Sequence, residues 1–337
     1  MSSPAVSPPD ISIVMPVYEA QDTVERALAC VVAQKTAREL EVIVVDDGSR
    51  DASLERARAF ASREPRVRVL AKENGGEASA LNHGFREARA PLIAIVEADV
   101  ELDSAWLETT LATLEKEGAV AVGGYLETPP DDPWIARLAG YEVERKFRTK
   151  PREAKHLTSA NVLYRREAWE LAGPFDERLI NASLDSVFNG KLIKAGKRLV
   201  YEPSARCRHH YKTTLAGFLG RQWSYARYRV HNEVLDLYPS DRFLAVHVGL
   251  AGLALLVSIA GAIAAPLAPP EWRWACLASG PAAFALALLL EVPPALEVLA
   301  RTRDPAALAY PPVLVLRNIV GAFGYFVGVL AKARGRA

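Results

Sequence analysis

Val44-Val45-Asp46-Asp47-Gly48-Ser49-Arg50-Asp51 is an apolar run that ends on two acids, turns at a glycine and opens onto a helix-forming stretch. Residues 41–46 are short, β-rich and apolar on both faces, as strands of a parallel sheet are. Residues 51–62 have helical spacing, and Asp51 suits an N-cap or a first-turn acid. The same order of events repeats on either side. Apolar runs at 11–15, 67–71, 92–96 and 119–122 alternate with amphipathic stretches at 22–34, 77–89 and 103–117. Thr23, Val24, Ala27, Leu28 and Val31 make one apolar stripe, and Asp103 opens its stretch as Asp51 does. This βαβα order predicts an α/β sheet with helices on both faces.

Beyond Pro129 the strict alternation ends. Residues 133–150 look helical and become basic towards their end, and 157–164 read as a weaker strand. Residues 166–172 predict a short helix stopped by Gly173-Pro174. Residues 183–195 predict another, ended by Gly196, and 198–201 a short strand. Residues 213–233 mix Phe218, Leu219, Trp223, Tyr225 and Tyr228 with Arg221, Arg227 and Arg229. That mixture suits a membrane interface, or equally a helix packed on the sheet domain.

The chain has 337 residues, enough for about two units. Its 41 Lys and Arg nearly cancel 40 Asp and Glu, which argues against a global attraction to nucleic acid. Half the residues are hydrophobic, too many for a disordered chain. The average hides a split. From Phe243 onward there are 7 Lys and Arg and 4 Asp and Glu in 95 residues, so charged residues drop from about 29% to about 12%. Such a drop is expected on passing from water to bilayer. Residues 243–265 carry no formal charge and are long enough to span. Residues 275–290 reach spanning length if Glu291 sits at a bilayer edge, giving a span of about 274–292. Residues 313–331 form a third segment, interrupted by Arg317-Asn318. Three spans place Lys332, Arg334 and Arg336 outside, against the positive-inside rule. Two spans with a re-entrant or surface-lying third segment therefore stay open beside three. The three cysteines, Cys30, Cys207 and Cys276, are far apart and form no metal or disulfide pattern. Residues 1–10 are polar and Pro-rich, are expected to be disordered, and lack the apolar core of a signal peptide. The N-terminal part is expected in the cytoplasm.

In open α/β sheets, ligands bind at the carboxyl ends of strands, and four motifs fall there. Asp46 and Asp47 can accept hydrogen bonds from a base or ribose, or simply belong to a solvated turn around Gly48. Pro16-Val17-Tyr18-Glu19 ends the first strand, and Tyr18 either stacks on a base or lines the core edge. Asn74-Gly75-Gly76-Glu77-Ala78-Ser79-Ala80-Leu81-Asn82-His83-Gly84 follows the third strand. Its paired glycines allow close backbone approach to phosphate, or make an ordinary turn. Glu97-Ala98-Asp99-Val100-Glu101 ends the fourth. If extended, its three acids share one face. Clustering them costs repulsion unless a cation is present, and Mg²⁺ characteristically bridges a carboxylate to substrate phosphates; a solvated strand end is the alternative.

Taken in order, these four motifs resemble those of family 2 glycosyltransferases with the GT-A fold, over residues 11 to about 212. The resemblance implies a Rossmann-like mixed sheet, an inverting transfer by direct displacement, a nucleotide-diphosphate sugar donor and a divalent metal, Mn or Mg. It implies nucleotide-sugar binding by Pro16, Tyr18, Glu19, Asp47, Asn74 and Glu97. Asp99 is then the best metal ligand, flanked by Glu97 and Glu101. Glu97 stands where the family commonly has Asp. The family's base is the Asp of a Glu-Asp pair shortly after a Gly-x-Phe-Asp-Glu segment. Here Gly173-Pro174-Phe175-Asp176-Glu177 is intact and the pair reads Leu184-Asp185, which makes Asp185 the catalytic base. His209, after Tyr201-Glu202-Pro203, corresponds to a His that reaches back to the metal. Lys150, Arg152 and Arg166 are basic candidates to offset charge on the leaving diphosphate.

The helix at 221–228 does not reproduce the Gln-x-x-Arg-Trp spacing of processive synthases. Single-sugar transfer to a lipid-linked acceptor is therefore expected, in cell-surface glycan synthesis. The enzyme is expected at the inner (plasma) membrane with its catalytic domain in the cytoplasm, at 11–212, followed by interfacial helices at 213–242 and a membrane region at 243–337. A polyprenyl-phosphate sugar synthase is an alternative. So is a non-catalytic nucleotide-sugar-binding partner of a glycan assembly complex, which Glu97 and Leu184 keep in view. A transporter is disfavoured, because the spans hold little ionisable beyond His247, Glu291 and Arg317.

Overall fold

The computed structural model describes residues 8–179, 184–211, 213–228 and 239–334. Most of the expected disordered start lies outside these residues, but Asp10 is already tied to Glu39 by its amide and its carboxylate. Two compact units emerge. One comprises residues 1–131 and 143–211, the other residues 132–142 and 212–337.

The first unit is built on one mixed sheet. Strands β1 (Ile11–Val17), β2 (Leu40–Asp46), β3 (Val67–Ala71) and β4 (Leu92–Val96) run parallel in the order β3-β2-β1-β4. Six of seven residues of β1 and all seven of β2 are buried, because helices cover both faces. Those helices are α1 (Val24–Val32), α2 (Ser53–Ala61), α3 (Glu77–Glu87) and α4 (Trp106–Lys116), each one to three residues shorter at either end than its periodic stretch in the sequence, except that α3 begins where expected, at Glu77. The first crossovers add strands on one side of β1, and β4 pairs on the other. The carboxyl ends of β1 and β4 therefore flank a topological switch point, where such sheets bind ligands.

From β4 the sheet becomes mixed. It continues through β8 (Asn161–Arg165), β6 (Ala121–Glu127), β9 (Leu199–His209) and β5 (Val100–Leu102), with β7 (Glu153–Ala154) also paired to β9. The pairs β4–β8, β8–β6 and β9–β5 are antiparallel, but β6 and β9 run parallel. Three boundaries differ from expectation. β8 begins at Asn161, not 157, so residues 157–160 form a connection before it. β6 runs on through Gly123-Gly124 to Glu127. β9 extends to His209, well beyond the expected 201, even though it contains Pro203. It does so because its register with β6 shifts between Gly124 and Tyr125, leaving residues 203–205 outside the ladder. Proline, lacking an N–H, is tolerated at such a bulge.

Helices α5 (Trp134–Arg148), α6 (Arg166–Ala172) and α7 (Leu184–Lys194) complete the chain to β9; the first half of α5 is assigned to the second unit. Leu184 is buried in the apolar core, which accounts for an apolar residue at that position.

In the second unit, α8 (Leu215–Tyr228) packs on α12 (Tyr310–Ala333). A Cβ at Gly324 or Gly328 would sit 2.9 Å from Trp223 O or 2.1 Å from Arg227 O, so small residues let the two backbones meet. The expected extension of this amphipathic helix to Glu233 lies outside the described residues. α9 (Pro239–Ala264) and α10 (Pro270–Leu290) meet through Gly261, Ser258, Ser279 and Gly280, and α11 (Val292–Thr302) follows. Three helical segments, Val246–Ala264, Pro270–Thr302 and Pro305–Ala333, are long and apolar enough to cross a membrane.

The polar interruptions of these segments are internally satisfied. Glu291 is only 2% exposed and is met by His247 Nδ1 at 2.7 Å and by Asn318 Nδ2 at 2.8 Å. Arg317 donates to Asn318 and pairs with Glu142. Glu291 thus lies among helices with its carboxylate met by two of them. Arg317-Asn318 does not break α12 either, because both side chains are buried with partners.

Gly124 is the tightest point of the β6–β9 bulge. A Cβ there would fall 2.2 Å from the Ala205 carbonyl and 2.8 Å from Trp106 Nε1. Gly124→Ala is expected to cost about 1–3 kcal/mol. That is a fall of several degrees in Tm for the detergent-solubilised chain; an unchanged Tm would show that the bulge can open freely.

Candidate active site

Each motif lies where a strand of the parallel half ends. Tyr18 and Glu19 follow β1, both are exposed, and Glu19 takes a left-handed φ of 48°. The Ser49 hydroxyl accepts from the Glu19 amide at 3.1 Å, which joins the first two motifs. Gly48 has φ 73°, and a Cβ there would lie 2.8 Å from Asn74 N, so only glycine lets the second and third motifs meet.

Asp47 makes that junction. Its carboxylate accepts from Lys72 Nζ at 2.6 Å and from the amides of Gly75 and Gly76, the latter at 2.7 Å, while its carbonyl accepts from Asn74 Nδ2 at 3.0 Å. Asp47 and Asn74, expected at the nucleotide, both also shape this loop. Asp46 is the acid left over. Its Oδ2 accepts from Ser49 N, and its buried Oδ1 has no hydrogen-bond partner among the described residues. An unmet buried carboxylate oxygen is costly and calls for a ligand group.

The acidic motif is not extended throughout. Ala98 and Asp99 turn before β5 begins, which separates the three acids. Glu97 and Asp99 stay together and meet His209 from the end of β9. His209 Nε2 lies 3.3 Å from Asp99 Oδ1 and 3.8 Å from Glu97 Oε2, and one donor atom of each residue falls within 4.8 Å of the others. Pairing of Val100 with His209, and of His210 N with Asp99 O at 2.9 Å, fixes this approach. Glu101 is the correction. The turn sends its carboxylate to Arg26 at 3.1 Å and His210 at 3.0 Å instead.

Ser159 was not anticipated. Its hydroxyl lies 2.9 Å from Glu97 Oε1 and 3.1 Å from Glu77 Oε1. Two residues earlier, Leu157 O accepts from Asn189 Nδ2 at 2.6 Å, and His156 Nε2 lies 3.6 Å from Asp185 Oδ2. One short connection, 156–159, therefore links the acid–imidazole group to the N-terminus of α7, where Asp185 stands. Asn82 supports α7 from the other side. Its amide donates to Phe175 O and Glu177 Oε1 and accepts from Phe175 N, and the Phe175 ring stacks on Phe188 of α7 at 4.5 Å.

With this geometry in view, the relatives are informative. Residues 12–171 match the family described as "Glycosyl transferase family 2". The chain carries a family 2 glycosyltransferase domain. It is similar to the uncharacterized glycosyltransferase EpsJ of Bacillus subtilis, 27% identical over 283 residues, or 78% of this chain and 81% of that protein. It is 31% identical over 194 residues to the chondroitin synthase of Pasteurella multocida, which covers 56% of this chain but only 19% of that longer protein. Among solved structures it resembles a mannosyltransferase, PcManGT from Pyrobaculum calidifontis, in complex with GDP-Man and Mn²⁺. That match has a TM-score of 0.58 at 19% identity and covers 95% of this chain and 87% of the other. The shared architecture is GT-A, and the chain is a glycosyltransferase.

Within the transferase domain, the basic residues expected near the diphosphate have other duties. Arg166 donates to the carbonyls of Ala88 and Ala90, which anchors α6. Arg152 pairs with Glu117 and Glu202. Lys150 Nζ lies over the rings of Phe147 and Tyr201, at 4.7 and 5.2 Å. Burial lowers its pKa to about 7, against the pull of Asp185, which raises it.

Burial raises the Glu202 pKa, but hydrogen bonds from Ser204, Arg152 and Thr113 outweigh it and bring the carboxyl down to about 2 from an ordinary 4.5. A depressed carboxyl stabilises the fold above its unfolded pKa and loses that contribution as pH falls through the folded one. The wild type should therefore shed stability between about pH 4.5 and 2. Glu202→Gln should be less stable at pH 7 and show a flatter decline over that window, measured by Tm against pH.

Proposed function

We propose that the enzyme transfers one sugar from a nucleotide-diphosphate sugar to a lipid-linked acceptor at a membrane face, with inversion at the anomeric carbon. The observation that carries this is the convergence of Glu97, Asp99 and His209 at the switch point, joined through 156–159 to Asp185. Pro16, Tyr18, Glu19 and the unmet Asp46 Oδ1 sit at the ends of β1 and β2 as groups to receive the nucleoside. The Asn74–Gly76 loop, held by Asp47, supplies shape.

Two carboxylates and an imidazole fit a divalent ion, and Mn²⁺ tolerates the imidazole better than Mg²⁺ does. Glu97, Asp99 and His209 would hold it, and it would offset charge building on the departing diphosphate. The chain's own residues do the rest. Asp185, at the start of α7 with its side chain about one-fifth exposed, takes the proton from the acceptor hydroxyl. The acceptor oxygen bonds to the anomeric carbon as the bond to the diphosphate oxygen breaks, and that electron pair leaves with the nucleoside diphosphate. Three apolar helical segments long enough to cross a membrane support a membrane-bound enzyme. We place the enzyme at the inner membrane with its transferase domain in the cytoplasm, in cell-surface glycan synthesis, where nucleotide sugars and lipid carriers meet.

A donor screen in detergent, scoring nucleoside diphosphate release, tests the proposal; GDP-mannose with Mn²⁺ is the first pair to try. Treatment with EDTA should abolish release and Mn²⁺ should restore it. Asp99→Ala should lose at least about 100-fold, and Asp185→Asn about 10²–10⁴-fold with a lipid-extract acceptor. Full turnover in both variants would remove the residue assignments. Full turnover in Asp185→Asn alone, with a polyprenyl phosphate as acceptor, would favour a polyprenyl-phosphate sugar synthase, since a phosphate acceptor needs little help from a base. Binding of the donor without turnover would indicate a non-catalytic partner.

A further inference from the structure

Asp185 does not stand alone at the start of α7. Its two carboxylate oxygens are treated differently. Oδ1 accepts from the Ser186 amide at 2.7 Å and so is held by its own helix. Oδ2 faces His156 Nε2 at 3.6 Å. The far nitrogen of that ring, Nδ1, lies 3.3 Å from Ser186 Oγ. His156 is thus bracketed by consecutive residues of one helix turn, each touching a different ring nitrogen. Both acid and imidazole are about one-fifth exposed, open to a substrate yet largely shielded.

The bracket is itself anchored. Asn189 lies one turn along from Asp185, on the same face of α7. It is fully buried, donates to the carbonyl of Leu157 and meets the Tyr164 hydroxyl at 3.2 Å. His156 and Leu157 are therefore both clamped by the face of α7 that presents Asp185. Lys150 also interacts with this carboxylate, but it is drawn over the rings of Phe147 and Tyr201.

We propose that His156 is a positioning residue for Asp185: its Nε2–H aims Oδ2 at the acceptor hydroxyl. This rests on Asp185 acting as the base. In this role the Ser186 hydroxyl donates to Nδ1 and the ring hydrogen sits on Nε2, the nitrogen that faces the carboxylate. With Oδ1 fixed by Ser186 N, the imidazole sets the remaining freedom of the carboxylate about its χ angles. The 3.6 Å separation is slightly longer than a hydrogen bond. Catalytic contacts of this kind shorten when the substrate arrives and the site tightens. His156 holds and orients; the acceptor proton ends on Asp185.

Misplacing a reacting group by about 1 Å costs up to ~100-fold in rate. In the full-length protein, with Mn²⁺, a lipid-extract acceptor and the donor that gives the fastest release in the screen, His156→Ala is expected to lower kcat by about 10–100-fold. The donor KM should stay within about twofold, because the nucleotide end of the site is untouched. His156→Gln, whose amide can reach Oδ2 with an N–H but cannot titrate, should recover most of the loss. Ser186→Ala keeps the amide bond to Asp185 and should cost only a few-fold. Wild-type kcat in His156→Ala, a loss confined to KM, or a Gln variant no better than Ala would each overturn the proposal. Asp185→Asn separates the two ideas. If it is inactive while His156→Ala is normal, only the positioning role fails. If it retains full turnover, the assignment of the base fails first.

Discussion

Asn82 is 1% exposed on α3, and every hydrogen bond of its side-chain amide runs to residues more than ninety positions away in sequence. It donates to Phe175 O and Glu177 and accepts from Phe175 N, so the segment before α7 is held as if by a strand partner. A buried amide left unpaired costs about 1–3 kcal/mol, which makes alternative placements of this segment unfavourable. Phe175 carries the constraint onward by stacking on Phe188 of α7. Asp185 is thereby fixed to the same helix, α3, that follows the Gly75-Gly76 loop. The Gly75-Gly76 loop and the segment leading to Asp185, proposed to serve donor and acceptor, are thus both attached to α3.

How much of this was legible depends on whether the deciding interaction is local. Strands β1, β2 and β4 were readable because each is a short apolar run covered on both faces, while β3, a half-exposed edge strand, was readable from its β-rich run, and the motifs at their ends follow directly. Glu101 was misplaced because alternation holds only in extended chain, and the turn at Ala98-Asp99 breaks it. β9 was read only over 198–201 because its continuation depends on a register shift opposite Gly124, a partner about eighty residues away. Ser159 and His156 lie in or beside an irregular connection with no periodicity, and nothing in their spacing announces Glu97 or Asp185. Asn82 sat inside a motif already noted, but its duty is set by a distant segment.

The basic residues show the same limit from another side. A sequence gives each Arg and Lys a charge but not a partner. Arg166 is held by two carbonyls and Arg152 by two glutamates, so both already have structural partners that their charge alone does not reveal. Asp47 likewise meets Lys72 and two glycine amides. Of the Asp-Asp pair, the second residue shapes the loop, while the first keeps a buried carboxylate oxygen without a hydrogen-bond partner among the described residues.

Ser159 sharpens the electrostatics of the remaining site. A hydroxyl has one hydrogen, yet its oxygen lies within 3.1 Å of both Glu77 and Glu97. It can donate to one carboxylate at a time, and Glu97 in turn shares His209 with Asp99. Carboxylates brought together in this way disfavour one another's charge, and a shared cation relieves that cost. The divalent ion proposed at Glu97, Asp99 and His209 would supply that relief, and Ser159 ties its site to Glu77 at the start of α3.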